Sequence, residues 1–323
     1  MNRIVVSQPV HAEALAQLRA AGQVVMNPGP EPWDEETLAG HLAEADAWMA
    51  FMTDRLDEHV LRRAPRLRVV ACALKGYDNF DVVACARAGV RLSFVPDLLT
   101  EPTAELALGL AIAAARHVRE GDRRVRAGYA GWRPALYGMG LHGATVAVVG
   151  LGAVGRAIVD RLQGFGCAAL LGVDPARRDA RVQAVSLDDA ARRADYLLLA
   201  APLTTGTRHL VDKRLLGQVR EGLVVVNIGR GSVVDEAAVA QALESGRLGA
   251  YAADVFEMED WNRPDRPRQI HPALLRHPAT LFTPHLGSAV VRVRQAIELR
   301  AAHNLLAQLQ GQAVADLIEA GEA

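Results

Sequence analysis

Short apolar runs alternate with segments of helical period almost from end to end of the 323-residue chain, and no pattern constrains its fold more. Strands that read as continuous apolar runs are buried on both faces. Helical segments between them are the crossovers that parallel strands require. The first series of strands is expected at Arg3 to Val6, Gln23 to Met26, Ala47 to Phe51, Leu67 to Ala71 and Val90 to Phe94, with helices near Ala12, Glu35, Asp57 and Asp81. A second series starts at Thr145 and continues through Leu170 to Val173, Tyr196 to Leu199, Val224 to Ile228 and Ala250 to Val255. The reading is an α/β protein with two sheets of about five strands, hence two domains.

Pro96 and Pro102 bracket a turn, and Thr103 to Val118 reads as one long alanine-rich helix after it. Ser288 to Leu309 is helical in period with no strand after it, so it is expected to return to the first domain. The second domain is then inserted into the first: residues 1–98 and 290–323 form one domain and 99–289 the other. Asp316 to Ala323 reads as a solvated tail.

Composition excludes partners more than it names them. The 36 basic and 37 acidic residues leave a net charge of -1, which offers no basic surface to nucleic acid or to an anionic membrane. Leu106 to Ala115, the longest apolar stretch, is too short to span a bilayer. Cys72, Cys85 and Cys167 read as reduced core thiols, and the expected location is the cytoplasm. Only Lys75 and Lys213 are lysines; the other 34 basic residues are arginine.

Gly150, Gly152 and Gly155 form G-x-G-x-x-G in VAVVGLGAVG, after a strand and at the opening of a helix that begins with Ala153 and Val154. Such glycines permit a tight turn, close approach of backbone amides to a pyrophosphate, and close packing of helix on sheet. Asp174 ends the next strand about twenty residues on, where a carboxylate can take ribose hydroxyls and repel a 2'-phosphate. NAD is therefore the expected cofactor. Arg177 and Arg178, just beyond the acid, make NADP the weaker substitute.

Arg230 in NIGRGSVVDE, Glu259 in DVFEMEDW and His285 in LFTPHLGS fall at C-terminal ends of strands or in loops facing the same crevice, where open α/β sheets bind ligands. A guanidinium can hold two oxygens of an anion, histidine exchanges protons near neutral pH, and a glutamate can fix its tautomer. Taken singly, each has a plainer reading as a surface arginine, a charged loop residue or a capped histidine. No cluster has the spacing of metal ligands, so no metal is expected.

The order of arginine, glutamate and histidine after the glycine fingerprint resembles the D-2-hydroxyacid dehydrogenase family over essentially the whole chain. The resemblance implies a Rossmann NAD-binding domain inserted into a flavodoxin-like substrate domain, and a homodimer formed through the cofactor domain. It implies catalytic roles for Arg230, Glu259 and His285. It further implies contact of Asp254 with the nicotinamide amide, and cofactor lining by Pro202 and Ile228. The runs CALKGYDNFD at Cys72 to Asp81, FVPDLLT at Phe94 to Thr100, YAADVFEMEDW at Tyr251 to Trp261 and TPHLGSAV at Thr283 to Val290 look like the phosphite-oxidising, phosphonate dehydrogenase branch of that family. In that branch the positions of Met52, Lys75, Arg230 and Ser288 line the active site with Glu259 and His285, Arg294 stands behind them, and Trp132 and Tyr137 are nearby.

Lys75 discriminates the branch: phosphite near neutral pH is largely a dianion, for which a second, compact cation is useful, whereas Arg230 alone matches one carboxylate. Oxidation of phosphite to phosphate with reduction of NAD is the expected activity. A D-2-hydroxyacid dehydrogenase or glyoxylate/hydroxypyruvate reductase is the alternative enzyme, and a non-catalytic regulator that senses NAD(H) is the alternative outside catalysis.

Overall fold

A computed structural model describes residues 1–132, 135–261 and 263–318. In chain order the first elements are β1 (Asn2–Val6), α1 (Ala12–Ala21), β2 (Gly22–Met26), α2 (Glu35–Leu42), β3 (Ala47–Ala50), α3 (Glu58–Arg63), β4 (Val69–Cys72), α4 (Val82–Arg87) and β5 (Arg91–Ser93). Next come α5 (Thr100–Ala115), α6 (Val118–Arg126), β6 (Thr145–Val149), α7 (Ala153–Leu162), β7 (Ala169–Val173), β8 (Gln183–Ala184), α8 (Leu187–Arg193) and β9 (Tyr196–Leu199). The last are α9 (Lys213–Leu216), β10 (Leu223–Asn227), α10 (Glu236–Glu244), β11 (Leu248–Ala253), α11 (Pro272–Arg276), β12 (Thr280–Phe282) and α12 (Val291–Leu309).

The chain divides into two compact units. One comprises Met1–Leu99, Trp261–Pro264 and Ala289–Ala323, and the other Thr100–Asp260 and Asp265–Ser288. The first holds a parallel sheet in the order β2-β1-β3-β4-β5, the flavodoxin-like order. Its central strands β3 and β4 are buried at every position, which is why they read as unbroken apolar runs. In this unit α12 packs against α1 and over β3, β4 and β5.

The second unit carries seven parallel strands in the order β12-β11-β10-β9-β6-β7-β8, a Rossmann order extended by one strand. The sequence reading missed β8 and β12, which are two and three residues long and too short to show a period. Helix starts follow a repeated device. The Asp57, Asp81, Asp212 and Asp235 carboxylates each accept a bond from the backbone N–H three residues on, satisfying a donor that the first turn leaves open.

Three expectations need correction. The long helix after Pro102 stops at Ala115, because His117 adopts the left-handed region (φ 54°) and α6 starts afresh at Val118. Cys72 and Cys85 are buried, but Cys167 is only half-buried. The expected tail is anchored as far as residue 318: Asp316 is 4% exposed, Leu317 bridges Ser93, and the Ile318 N–H donates to the Leu92 carbonyl. Residues 319–323 lie outside the described residues. Among the described residues no helix is long and apolar enough to cross a membrane.

Where the chain leaves the adjacent strands β1 and β3, a buried polar knot closes the turn after β3. The Asp54 carboxylate accepts from the Phe51 N–H at 2.7 Å and meets the Ser7 hydroxyl, which accepts from Trp48 Nε1 at 3.1 Å. Burial pushes the Asp54 carboxyl up to about 7, and the bonds from Ser7 and Phe51 only partly oppose it. A raised carboxyl makes the folded state bind more protons than the unfolded one between its unfolded value of 3.8 and about 7, so this group's contribution to stability falls as pH rises through that window. Asp54→Asn is expected to flatten the fall in melting temperature across it. An unchanged pH slope in thermal denaturation counts against the assignment.

Candidate functional site

Both units present their turns at the C-terminal ends of parallel strands, the end at which open α/β sheets take ligands. In the second unit the first such turn joins β6 to α7. A Cβ at Gly155 would stand 1.8 Å from the Gly150 carbonyl oxygen, so the helix can approach the strand only if this residue is glycine. A Cβ at Gly152, the N-cap of α7, would meet nothing nearer than Arg177 Nη1 at 3.6 Å, which leaves the first-turn amides of Ala153 and Val154 open to an anion. The residues present fit a dinucleotide.

Asp174 follows β7 and is tied to that turn. Its Oδ2 accepts from the Leu151 N–H at 2.8 Å, and its Oδ1 accepts from Ala176 and Arg177 N–H groups at 2.9 and 2.8 Å. Burial opposes ionisation here, but the three backbone bonds outweigh it and hold the carboxyl below its ordinary range. The carboxylate is thus charged and fixed beside the glycine turn. Arg178 is folded back, its Nη1 donating to the Asp174 and Arg177 carbonyls at 2.7 and 2.9 Å.

Past the switch between β6 and β9, each later strand contributes one turn. Pro202 follows β9, its carbonyl accepting from Thr207 Oγ1 at 2.6 Å. Ile228 and Arg230 follow β10. Ile228 is buried, while Asn227 Nδ2 donates to the Arg230 carbonyl at 3.0 Å and Arg230 Nη1 donates to the Gly229 carbonyl at 2.9 Å. Asp254 and Glu259 follow β11, and His285 and Ser288 follow β12.

His285 Nδ1 meets Glu259 Oε2 at 2.8 Å, with the side chains 33% and 21% exposed, so the pair is open to a ligand. His285 sits in the left-handed region (φ 55°), a costly backbone for a residue other than glycine. Asp254 holds it there. Asp254 is 2% exposed; its Oδ1 accepts from Thr283 Oγ1 and the Leu286 N–H, both at 2.6 Å, and its Oδ2 from the Gly287 N–H at 2.9 Å. Sequence reasoning gave Asp254 a cofactor contact and missed this hold on the His285 turn; the only signal for it was a carboxylate one residue beyond a buried strand.

Met52, Lys75 and Arg294 belong to the first unit. Met52 and Lys75 follow the paired strands β3 and β4. Asn79 Nδ2 donates to the Met52 carbonyl at 2.9 Å. Arg294 lies on α12 with Nη1 3.5 Å from the Ala73 carbonyl and Nη2 3.8 Å from Glu298 Oε1; burial lowers its pKa, with the Glu298 charge opposing. Trp132 and Tyr137, in the second unit, are 82% and 81% exposed.

Comparison with known proteins agrees with this layout. Residues 108–287 match the model of the NAD-binding domain of D-isomer specific 2-hydroxyacid dehydrogenases. The chain is 35% identical to a glyoxylate reductase of Aeropyrum pernix over 98% of this chain and 95% of that protein. It is 34% identical to a glyoxylate reductase of Pyrococcus horikoshii over 86% of this chain and 84% of that one. The crystal structure of the TT0316 protein of Thermus thermophilus superposes with a TM-score of 0.90 at 31% identity, covering 98% of this chain and all of the other.

The glycine turn yields a direct test. Gly155→Val forces α7 away from Gly150 and is expected to weaken NADH binding by about tenfold or more in a fluorescence titration. Unchanged affinity removes the turn from the cofactor site.

Proposed function

The chain belongs to the D-isomer specific 2-hydroxyacid dehydrogenase family, and from that premise we propose an NAD-dependent dehydrogenase of a small anionic acid in which Arg230, Glu259 and His285 carry the chemistry. The observation that supports this most is the 2.8 Å contact of His285 Nδ1 with Glu259 Oε2, at the C-terminal end of a sheet whose first turn fits a dinucleotide. Glu259 accepts a hydrogen bond from Nδ1–H, leaves Nε2 as the atom that exchanges a proton with the substrate, and stabilises the imidazolium that results. Arg230 anchors two oxygens of the anion and orients it. Asp174 favours NAD through the ribose hydroxyls; Arg177, beside the glycine turn, leaves NADP as the weaker substitute.

At the finer level we propose phosphite as the substrate, oxidised to phosphate. The support is Lys75: a chain that uses arginine at 34 of 36 basic positions keeps a lysine in the CALKGYDNFD run, where a compact ammonium suits a small tetrahedral dianion. Met52, Ser288 and Arg294 complete the proposed substrate site, with Trp132 and Tyr137 as a lid. A second reading has its own support. The relatives above are named glyoxylate reductase, and their names favour a small 2-oxoacid such as glyoxylate or hydroxypyruvate better than they favour phosphite.

NAD, when bound, would supply the acceptor for the hydride given up by phosphorus as a water oxygen bonds to it, or by the carbinol carbon of a hydroxyacid. In either case His285 Nε2 takes the proton, from the attacking water or from the hydroxyl. Dimerisation through the cofactor domain and residence in the cytoplasm remain part of the proposal.

Absorbance at the NADH band with phosphite, glycerate and lactate in the oxidising direction, and glyoxylate and hydroxypyruvate in the reducing one, separates the readings. Turnover of phosphite alone is the expected result. Turnover confined to the organic acids overturns the phosphite assignment and leaves the dehydrogenase standing, while NADH binding without turnover favours the regulator. Lys75→Ala is expected to raise the KM for phosphite by about tenfold or more with NADH affinity unchanged. An unaltered phosphite response removes Lys75 from the site.

A further inference from the structure

Arg230 and Glu259 are borne on or beside two short 3-10 turns of the second unit, Gly231–Val233 and Glu257–Glu259, and neither turn is part of the sheet. The two touch backbone to backbone, since a Cβ at Gly231 would stand 1.9 Å from the Phe256 carbonyl carbon. Contact alone does not fix their register.

A buried set of polar groups behind them does. The Glu257 N–H donates to Glu236 Oε1 at 3.0 Å and the Glu236 N–H returns a bond to Glu257 Oε1 at 3.1 Å. Glu236 Oε2 accepts from the His271 N–H at 2.8 Å. Both glutamates are buried, at 3% and 7% exposure. His209 adds a bond to this pair from a neighbouring segment: its Nε2 donates to Glu257 Oε2 at 3.0 Å.

The backbone of His209 reaches the other turn, its N–H donating to the Ser232 carbonyl at 2.7 Å. The Ser232 N–H in turn donates to Asp260 Oδ2 at 2.9 Å, immediately after Glu259. His209 is left-handed (φ 49°), a strained backbone for a residue other than glycine that persists where its surroundings hold it. Two further backbone bonds, Val211 N–H to the Val233 carbonyl at 3.1 Å and Asp235 N–H to the Val211 carbonyl at 3.0 Å, fasten the segment without the ring.

We infer that His209 is a positioning residue: one side chain and its own amide tie the turn of Arg230 to the turn of Glu259, and so set where Glu259 meets His285. The inference rests on the reading that Arg230, Glu259 and His285 act on substrate, but its geometric part can be read without turnover. Because the ladder at Val211 holds the segment, loss of the ring leaves the fold intact and removes only the side-chain tie to the Glu257 turn.

The test uses the full-length protein with His209→Leu and His209→Gln, whose amide can still donate to Glu257. Three readouts are taken: kcat on whichever acid the wild type turns over, NADH affinity with melting temperature, and the downfield imidazole N–H proton resonance of the His285–Glu259 bond. His209→Leu is expected to lower kcat about tenfold and to shift or broaden the resonance, with NADH affinity within about twofold of wild type and the melting transition retained. His209→Gln is expected to restore both. An unchanged kcat and resonance in His209→Leu overturns the inference, as does an equal loss of NADH binding and melting temperature in both variants, which marks a merely structural role. A wild type that turns over no acid refutes the proposed function, and the resonance then decides the brace alone: lost in His209→Leu and kept in His209→Gln upholds it, unaltered in both overturns it.

Discussion

The buried carboxylate of Asp254 is the interaction on which the candidate site depends. It sits at the end of β11, the strand beside β12, and gathers the Thr283 hydroxyl and the Leu286 and Gly287 amides into one turn. A buried carboxylate is costly unless its oxygens are bonded, and here both are. The bonds compensate its burial and in return hold His285 in a left-handed backbone that aims Nδ1 at Glu259. Without this hold, the strain at His285 would relax into an extended loop and the pair would come apart.

The same logic of paired turns recurs along the sheet edge. Asp174 fixes the glycine turn through Leu151, Asn227 holds the Arg230 carbonyl, and the Glu236–Glu257 exchange holds the turn that carries Glu259. Parallel strands deliver these turns to one end, and short polar side chains lock each one where its backbone leaves the ladder. Rigid placement of this kind matters for any site built from a few groups, since misplacement by about 1 Å can cost two orders of magnitude in rate.

Much of this was legible in the sequence, for physical reasons that differ by element. The central strands could be read because burial on both faces forces them to be apolar throughout, as in Val69–Cys72 and Leu223–Asn227. The dinucleotide turn was visible because Gly155 has no substitute at a 1.8 Å approach. Strands β8 and β12 were not visible: two or three residues carry no period, and their pairing is set by neighbours distant in sequence. The break at His117 escaped because no glycine or proline marks it. Anchoring of the chain end at Asp316 escaped because its partners, Arg300 and Asn304, lie on α12. At the site, the residue types at 230, 259 and 285 were legible from spacing, whereas the supports supplied by Asp254 and His209 depend on which turns fold together.

The role proposed for His285, held by Glu259, is to move the proton that accompanies hydride transfer. Single-turnover NADH formation at saturating NAD, compared between the wild type and His285→Asn on the substrate the wild type accepts, tests it most directly. A loss of about a hundredfold or more in the rate, with NADH affinity retained, is the expected result. A rate within about twofold of the wild type would contradict it.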